Sequence, residues 1–315
     1  MKNTQKGPLI ISGNAHSNLA IEIANYIGQK ITKAEVFKFN NDNTFVKILE
    51  NVRERDVFII QPTAFPVNDN IMELLIMIDA AKRASAGRIT AVMPYFSYAR
   101  TDKKDQPRVP ITGRLIADLI TTAGADRVMM MDLHAGQVQG FFSATVDELT
   151  ALPILATYFI EKKLKDWVVV SPDIGGTKRA RDFANKLGAP LAIIEKRRIG
   201  NKDTVETLNI IGEVKNRSAI LFDDEINTGG TMIAGSKILK ENKVKDVYVA
   251  ATHGIFPNGS LKKIISSEEI REVVVTNSLP IDYRSPKLKI LSISELFGEA
   301  IKRTNRGDSV GALFL

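Results

Sequence analysis

The chain has 315 residues, 44% hydrophobic and 25% charged, which indicates a folded globular protein of about two domains; no apolar run reaches the roughly 18 residues of a membrane span. The absence of cysteine excludes disulfides, thiolate nucleophiles and cysteine-ligated zinc, which leaves oxygen and imidazole as metal ligands. The net charge of +7 comes from short basic groups interleaved with acids, a pattern that favours small polyphosphates over nucleic acid.

Strands and helices alternate along the chain. Apolar runs typical of strands buried on both faces of a sheet occur at residues 9–13, 57–61, 89–93, 127–132, 167–171, 191–195, 219–224, 247–252 and 272–276. Amphipathic stretches predict helices at 69–85, 113–122, 175–187 and 231–241. This alternation predicts an α/β fold with doubly wound, mostly parallel sheets. Because the start also lacks a secretory signal, we expect a cytoplasmic protein without membrane contact.

Two stretches, 55–100 and 217–259, share the layout strand, polar turn, long helix, strand and polar tail. They predict either an internal duplication or two ordinary strand-helix-strand units, and this choice is left open. The polar stretch 143–153 is the expected boundary, which gives domains at 1–148 and 149–315.

In the first half, "MMMDLHAGQ" places Asp132 and His134 two residues apart just past an apolar strand, where metal contact competes with a structural role. The segment "YFSYARTDKK" offers aromatic side chains for packing or stacking, followed by Arg100.

The second half carries further polar segments at strand ends. "SPDIGGTKRARDFA" places Asp173 before a Gly-Gly turn, either as a ligand of a hard cation or as part of a plain helix start with Lys178 and Arg181 in solvent. "IIEKRR" ends a strand in Lys196 and Arg198, which suit charge stabilisation in phosphoryl transfer or a solvated basic loop.

The stretch "FDDEINTGGT" combines two acids with a glycine-rich turn before a helix. Glycines, threonine hydroxyls and a helix N-terminus favour a phosphate, whereas Asp223 and Asp224 accept hydrogen bonds from a sugar diol. The predicted ligand is a sugar phosphate.

These segments resemble, in order and nearly end to end, the ribose-phosphate pyrophosphokinase family. The similarity includes "KFNNDNTFVKILENVRERDVFIIQP", "VPITGRLIADL", "DLHAGQVQGFF", "VVVSPDIGG", "IIEKRR", "ATHGIF" and "DSVGALF". The resemblance implies two similar domains of the type I phosphoribosyltransferase kind. It also implies a homo-oligomer, a hexamer with ATP across a subunit contact.

The resemblance implies Mg²⁺-dependent transfer of the diphosphoryl group of ATP to the 1-hydroxyl of ribose 5-phosphate, with AMP leaving. It implies metal contacts for His134 and Asp173, and catalytic roles for Lys196 and Arg198. The implied ATP-binding residues are Phe39, Asn41, Asp42, Asn43, Arg100 and Thr101. The residues implied to bind ribose 5-phosphate are Arg198, Asp223, Asp224, Asn227, Thr228, Gly229, Gly230 and Thr231.

The chain departs from the family pattern near the adenine, where Asn43 replaces an acid and Thr101 replaces a glutamine, so the donor nucleotide is left open. In the ribose loop, Asn227 replaces an aspartate and Glu225 an apolar residue.

Arg53 and Ser309 lie in segments that resemble the family's regulatory site for phosphate and ADP. The rival hypotheses are a catalytically silent homologue that assembles with active subunits, a phosphoribosyltransferase that consumes the diphosphorylated sugar, and a basic nucleic-acid-binding regulator.

Overall fold

The chain forms two compact units. The computed structural model describes residues 7–199 and 205–314, and it leaves the side chains of 196–199 and 205–208 undescribed. The first unit comprises Met1–Thr150, Ser278–Pro280 and Ser292–Leu315, and the second comprises Ala151–Asn277 and Ile281–Leu291. The boundary expected after residue 148 lies two residues from this division, but the terminal segment expected in the second domain groups with the first unit.

The first unit is built on a parallel sheet with the strand order β1-β4-β5-β6-β7. Its strands are β1 (Leu9–Ser12), β2 (Ala34–Lys38), β3 (Thr44–Ile48), β4 (Asp56–Ile60), β5 (Arg88–Met93), β6 (Arg127–Met131) and β7 (Thr145–Leu149), and its helices are α1 (Ser17–Ile27), α2 (Val67–Arg83), α3 (Thr112–Ala123) and α8 (Ser294–Arg306). Strands β2 and β3 pair with each other as an antiparallel hairpin.

Helix α2 covers this sheet with a face that the sequence spacing defines. Leu74, Met77, Ile78 and Ala81 recur at helical spacing and are at most 1% exposed. They belong to one core cluster with sheet residues such as Ile59. Burial of this stripe explains why α2 forms against the sheet, since packing of an apolar face supplies most of a helix's stability in a protein.

The C-terminal helix α8 completes the first unit. The Arg88 guanidinium donates to Asp56 Oδ1 at 2.8 Å and to the Thr304 carbonyl at 2.8 Å. Asn305 Nδ2 donates to the other Asp56 oxygen at 2.9 Å. A strand of the first half and the last helix of the chain are therefore joined through one carboxylate.

The second unit is built on a sheet with the order β10-β9-β8-β11-β12-β13-β14, in which only the β9/β10 pair is antiparallel among the described pairings. Its strands are β8 (Trp167–Ser171), β9 (Leu191–Ile199), β10 (Val205–Ile211), β11 (Ser218–Ile226), β12 (Val247–Gly254), β13 (Ile270–Thr276) and β14 (Leu288–Leu291), and its helices are α4 (Leu152–Glu161), α5 (Thr177–Leu187), α6 (Gly230–Glu241) and α7 (Ser260–Ile265).

Helix α5 packs on this sheet through an aromatic contact. The Phe183 ring stacks on the Phe222 ring of β11, with centroids 4.2 Å apart and planes inclined by 19°. Both phenylalanines are at most 1% exposed, and Ala180 and Ala184 complete the buried face of the helix. This contact fixes α5 against the strand that carries the predicted sugar-binding acids.

The α/β fold with doubly wound, mostly parallel sheets is confirmed. All nine apolar runs that predicted strands are strands in the structure, and the four predicted helices correspond to α2, α3, α5 and α6. None of the described helices combines the length and the apolar character that crossing a membrane needs.

Candidate active site

Three strands of the second unit bring predicted site residues to one edge of the sheet. Leu221 of β11 pairs with Val170 of β8, and Ser171 of β8 pairs with Ile193 of β9. Asp223, Asp173 and Lys196 follow these paired positions by two or three residues. The carboxyl end of a parallel sheet is where ligands bind in open α/β folds, so this edge is the candidate site.

The two adjacent acids of β11 are largely removed from solvent. Asp224 is 1% exposed, and the side chain of Asp223 is 21% exposed. The Asp224 backbone N–H donates to Asp223 Oδ1 at 2.9 Å, which fixes the first carboxylate against the strand. A buried pair of carboxylates requires a compensating charge or hydrogen-bond donors.

Arg179 of α5 supplies that compensating charge. Its Nη1 donates to Asp223 Oδ1 at 2.9 Å and to Asp224 Oδ1 at 2.7 Å, so one guanidinium nitrogen joins both acids. The Arg179 side chain is itself only 26% exposed. Charge-assisted bonds of this kind are shorter and stronger than bonds between neutral groups.

The environment of Asp223 changes its acidity. Burial, followed by the hydrogen bond and the charge of Asp224, raises the pKa of Asp223 to about 8, and the positive charge of Arg179 opposes that rise. Asp223 therefore titrates near neutral pH, whereas an ordinary aspartate is ionised throughout that range.

Asp173 lies in the turn between β8 and α5, where the sequence predicted a ligand of a hard cation. The Asp173 side chain is exposed, and its Oδ1 accepts a hydrogen bond from the Gly176 N–H at 2.8 Å. A Cβ on Gly176 would lie 3.1 Å from Ser171 Oγ and 3.6 Å from both Asp173 Oδ1 and Asp223 Oδ1. The absence of a side chain at Gly176 thus keeps the space between these two carboxylates open.

The glycine-rich turn after β11 ends in an exposed helix N-terminus. Gly229 has a φ of +74° and precedes α6, and a Cβ there would lie 2.2 Å from Ile264 Cδ1. In the described structure no side chain caps α6, whose first turn also lacks an acid. Thr228 and Thr231 are exposed beside it. Backbone N–H groups in this arrangement suit a phosphate.

Lys196 and Arg198, predicted to be catalytic, lie in the outer half of β9. Their backbone pairs with β10 at Leu208 and Glu206. Their side chains lie outside the described part of the chain, so the structure places them by strand position alone.

The predicted metal contact of the first unit follows β6. Asp132 has a φ of +39°, and the His134 side chain is exposed two residues further on. The adjacent Leu133 is held by a hydrogen bond from its N–H to Glu148 Oε1 at 2.8 Å. His134 thus projects from a turn that is anchored to the neighbouring strand β7.

The predicted ATP-binding residues at 39–43 form the tip of the β2/β3 hairpin. The Phe39 N–H donates to the Asn43 carbonyl at 2.9 Å, and the Asn43 N–H donates to Asn41 Oδ1 at 3.2 Å. Lys38 Nζ pairs with Asp42 Oδ1 at 2.8 Å, so this acid already has a counter-charge. Asn41, Asp42 and Asn43 are exposed to a ligand.

Arg100 and Thr101 lie in a closed turn before α3. The Thr101 N–H and hydroxyl donate to the Tyr98 carbonyl at 2.9 and 2.8 Å. A Cβ on Gly113 would lie 3.1 Å from that same carbonyl, so the turn packs directly on the helix. Thr101 therefore shapes the turn, while Arg100 is exposed.

Sequence reasoning missed the role of Arg179, which it treated only as part of a basic group. Helical spacing carried the signal, because Arg179 precedes the buried Phe183 by four residues and thus shares its face of α5. A cation on the apolar face of a helix indicates a partner at the sheet.

Two family models match the chain. One, described as the N-terminal domain of ribose phosphate pyrophosphokinase, matches residues 8–124, and the other, described as a phosphoribosyl synthetase-associated domain, matches residues 197–315.

Individual relatives match over nearly their whole lengths. A ribose-phosphate pyrophosphokinase of Clostridium acetobutylicum is 49% identical over 100% of this chain and 99% of its own. That of Caldanaerobacter subterraneus subsp. tengcongensis is 50% identical over 97% of each chain. The crystal structure of phosphoribosylpyrophosphate synthetase from Mycobacterium smegmatis is 42% identical and matches with a TM-score of 0.90, over 96% of this chain and 100% of that one.

Proposed function

The chain belongs to the ribose-phosphate pyrophosphokinase family, and we propose that it transfers the β,γ-diphosphoryl group of ATP to the 1-hydroxyl of ribose 5-phosphate, releasing AMP. One observation carries the proposal beyond family membership. The second unit joins a buried pair of acids to an uncapped helix N-terminus through one short loop. This pairing suits a ligand that has hydroxyls at one end and a phosphate at the other.

We propose that the ribose diol binds Asp223 and Asp224. Carboxyl oxygens accept hydrogen bonds from hydroxyl groups, and Asp223 reaches its full acceptor capacity only as pH rises through its pKa of about 8. Low exposure strengthens these bonds because less water competes for them. The 5-phosphate then lies at the turn formed by Asn227, Thr228, Gly229, Gly230 and Thr231, where N–H groups of α6 donate to it.

In the proposed transfer, the sugar 1-hydroxyl attacks the β-phosphorus of ATP. A bond forms between O1 and the β-phosphorus, and the bond from the β-phosphorus to the oxygen bridging to the α-phosphorus breaks. AMP leaves with that oxygen, and the proton of the 1-hydroxyl passes to solvent water. Such a transition state needs positioning and charge stabilisation more than covalent help from the protein. The proposal assigns that stabilisation to Lys196 and Arg198, whose backbone lies in β9 at the same sheet edge.

The donor set of the chain suits Mg²⁺, which prefers oxygen ligands and retains water. Asp173 is an exposed carboxylate beside the open space at Gly176. By resemblance to the family, we propose a metal contact for Asp173 in the second unit and, separately, one for His134 in the first unit. When bound, Mg²⁺ would neutralise charge on the phosphates of ATP.

The proposal assigns ATP to the hairpin tip (Phe39, Asn41, Asp42 and Asn43) together with Arg100 and Thr101. The exposed amides at the tip offer hydrogen bonds to a base, and Arg100 offers a charge to phosphates. The proposal also includes assembly as a homo-oligomer, a hexamer by resemblance to the family, in the cytoplasm where ATP is abundant.

Phosphorus NMR of the purified protein with ATP, Mg²⁺ and ribose 5-phosphate tests the proposal. The expected spectrum gains resonances of AMP and of a sugar 1-diphosphate, both of which require ribose 5-phosphate. Formation of ADP and inorganic phosphate alone would contradict the proposed transfer.

A further inference from the structure

Arg179 stands out because it contacts the site and has no role in the proposed chemistry. A single nitrogen, Nη1, lies 2.9 Å from Asp223 Oδ1 and 2.7 Å from Asp224 Oδ1. The guanidinium therefore holds two neighbouring carboxylates by the same atom. This geometry fixes the distance between the two acids, and it places one positive charge against both of them.

The position of Arg179 is fixed by packing on both sides of the contact. Phe183 lies one helical turn after Arg179, and its ring stacks on Phe222, the residue before Asp223. Ala180, next to Arg179, is fully buried. The aromatic stack thus fixes the position of Arg179 on α5 relative to the two acids on β11.

The electrostatics of the pair also require a cation. Two carboxylates at adjacent residues repel each other, and Asp224 is almost completely buried, which makes its charge costly without a partner. An arginine remains protonated at any pH at which the protein folds. It therefore offsets the repulsion between the two acids over the whole range in which they are ionised.

We propose that Arg179 is a positioning residue for the sugar: it aligns Asp223 and Asp224 and keeps them competent to accept the two ring hydroxyls of ribose 5-phosphate. The inference rests on the proposed function of this site. It assigns Arg179 no contact with the sugar, since the arginine acts through the two acids.

Titration calorimetry of ribose 5-phosphate with the full chain tests the proposal. Arg179→Gln removes the charge, and we expect about a 10- to 100-fold weaker affinity because charge-assisted hydrogen bonds to the acids are lost. Arg179→Lys restores one positive nitrogen on a side chain that is one atom shorter. We expect most of the affinity to return because a single nitrogen makes both bonds in the wild type. Arg181→Gln is the matched control, since Arg181 is exposed on the same helix.

Steady-state kinetics separate positioning from general damage. For Arg179→Gln we expect a higher KM for ribose 5-phosphate, while kcat and the KM for ATP stay within about threefold of the wild type. Equal or tighter binding of ribose 5-phosphate by Arg179→Gln would overturn the proposal. An equal loss of affinity for ribose 5-phosphate and for ATP would also overturn it. If that variant does not fold, Arg179→Lys decides: a loss of more than about 100-fold in sugar affinity contradicts the role.

The wild-type measurement distinguishes this inference from the proposed function. A wild type that neither binds ribose 5-phosphate nor forms AMP contradicts the function itself, whereas an active wild type with an unimpaired Arg179→Gln contradicts only the inference. A double-mutant cycle of Arg179→Gln with Asp223→Asn adds a second criterion. We expect the fold-loss of sugar affinity in the double variant to be smaller than the product of the two single fold-losses, because the arginine acts through the acid. Fold-losses that simply multiply would contradict this role.

Discussion

The Phe183 and Phe222 rings lie 4.2 Å apart in a stacked arrangement that joins helix α5 to strand β11. This contact contributes both to the packing of the core and to the geometry of the candidate site, because Arg179 and Asp223 lie close to the two rings in sequence. Core packing and the geometry of the candidate site are therefore coupled. Damage to the stack is expected to affect both stability and sugar binding.

Phe183→Ala tests this coupling. Truncation of a fully buried phenylalanine typically lowers the free energy of unfolding by about 3 to 5 kcal/mol, and we expect weaker ribose 5-phosphate binding in addition. Urea denaturation and calorimetry measure the two effects. Phe65→Ala is the control, since Phe65 is 89% exposed, and the same truncation there should cost less than about 1 kcal/mol. A change in stability without a change in sugar affinity would break the proposed coupling.

Asp223→Asn combined with Asp224→Asn tests the diol contacts. Each substitution keeps the shape of the side chain and replaces one acceptor oxygen with a donor. We expect ribose 5-phosphate affinity to fall by about 100-fold or more, with ATP affinity unchanged. Asp182→Asn, at an exposed position on α5, controls for the loss of a single carboxylate outside the candidate site. Unaltered sugar affinity by calorimetry would refute the assignment of the acids.

The raised pKa of Asp223 predicts a pH dependence of sugar binding. Burial and Asp224 raise this pKa from 3.8 to about 8, so the carboxylate gains its full acceptor capacity only as pH rises through that value. We expect ribose 5-phosphate affinity, measured without metal, to increase from about pH 7 to about pH 9. Asp223→Asn should flatten this increase, and Arg179→Gln should move it to higher pH. A pH-independent affinity in the wild type would contradict the assignment.

The same shift has the opposite sign for stability. Between the unfolded pKa near 3.8 and the folded pKa near 8, the folded chain holds a proton that the unfolded chain has released. The contribution of Asp223 to stability therefore falls as pH rises through this window. Asp223→Asn should remove that part of the pH dependence in urea denaturation.

Gly229→Ala tests the turn that precedes α6. At this position a Cβ would meet Ile264 Cδ1 at 2.2 Å, and the φ of +74° disfavours any side chain. Gly188→Ala is a matched control, because Gly188 also has a positive φ, +61°, but no atom lies within 4 Å of its Cβ position. We expect Gly188→Ala to cost about 1 kcal/mol of stability, and Gly229→Ala to cost more and also to weaken phosphate binding. Equal effects would show that the contact with Ile264 is unimportant.

Lys196→Ala tests the proposed stabilisation of the transferring group. We expect turnover to fall by about 100- to 1,000-fold, with ribose 5-phosphate affinity nearly unchanged, because the charge acts in the transition state. Phosphorus NMR measures turnover, and Lys186→Ala, at an exposed position of α5, serves as the control. A rise in KM alone would remove Lys196 from the catalytic step.

The sequence predicted the central strands because their burial on both faces leaves continuous apolar runs, as in "VFII" of β4 and "VVV" of β8. Strands β2 and β3 were not predicted, because residues such as Glu35 and Lys47 face solvent and interrupt the apolar pattern. Helix α8 was also not predicted. Its apolar anchors Phe297, Ala300 and Ile301 do recur at helical spacing and are fully buried, but the partners of its polar contacts, such as Asp56 for Asn305, lie far away along the chain.

The acids and the glycine turn of the candidate site could be predicted because adjacent residues carry both parts of the pattern. Helical spacing from Phe183 places Arg179 on the buried face of α5, but it does not identify the partners Asp223 and Asp224, which are more than 40 residues away. Long-range pairing of this kind is set by the packing of α5 on the sheet. The distribution of charge along the chain does not reveal it.

The return of helix α8 to the first unit has a consequence for synthesis on the ribosome. Asp56 and Arg88 are synthesised early, whereas Thr304 and Asn305, which bind them, follow 216 and 249 residues after Arg88 and Asp56. At typical elongation rates the first 150 residues wait roughly 7 to 30 s for the helix that completes their unit. Residues 151–277 are made without interruption during that delay. A nascent chain that stops before residue 292 lacks the partners of Asp56 and Arg88 on α8, so the first unit is completed only after the residues of the second unit have been made.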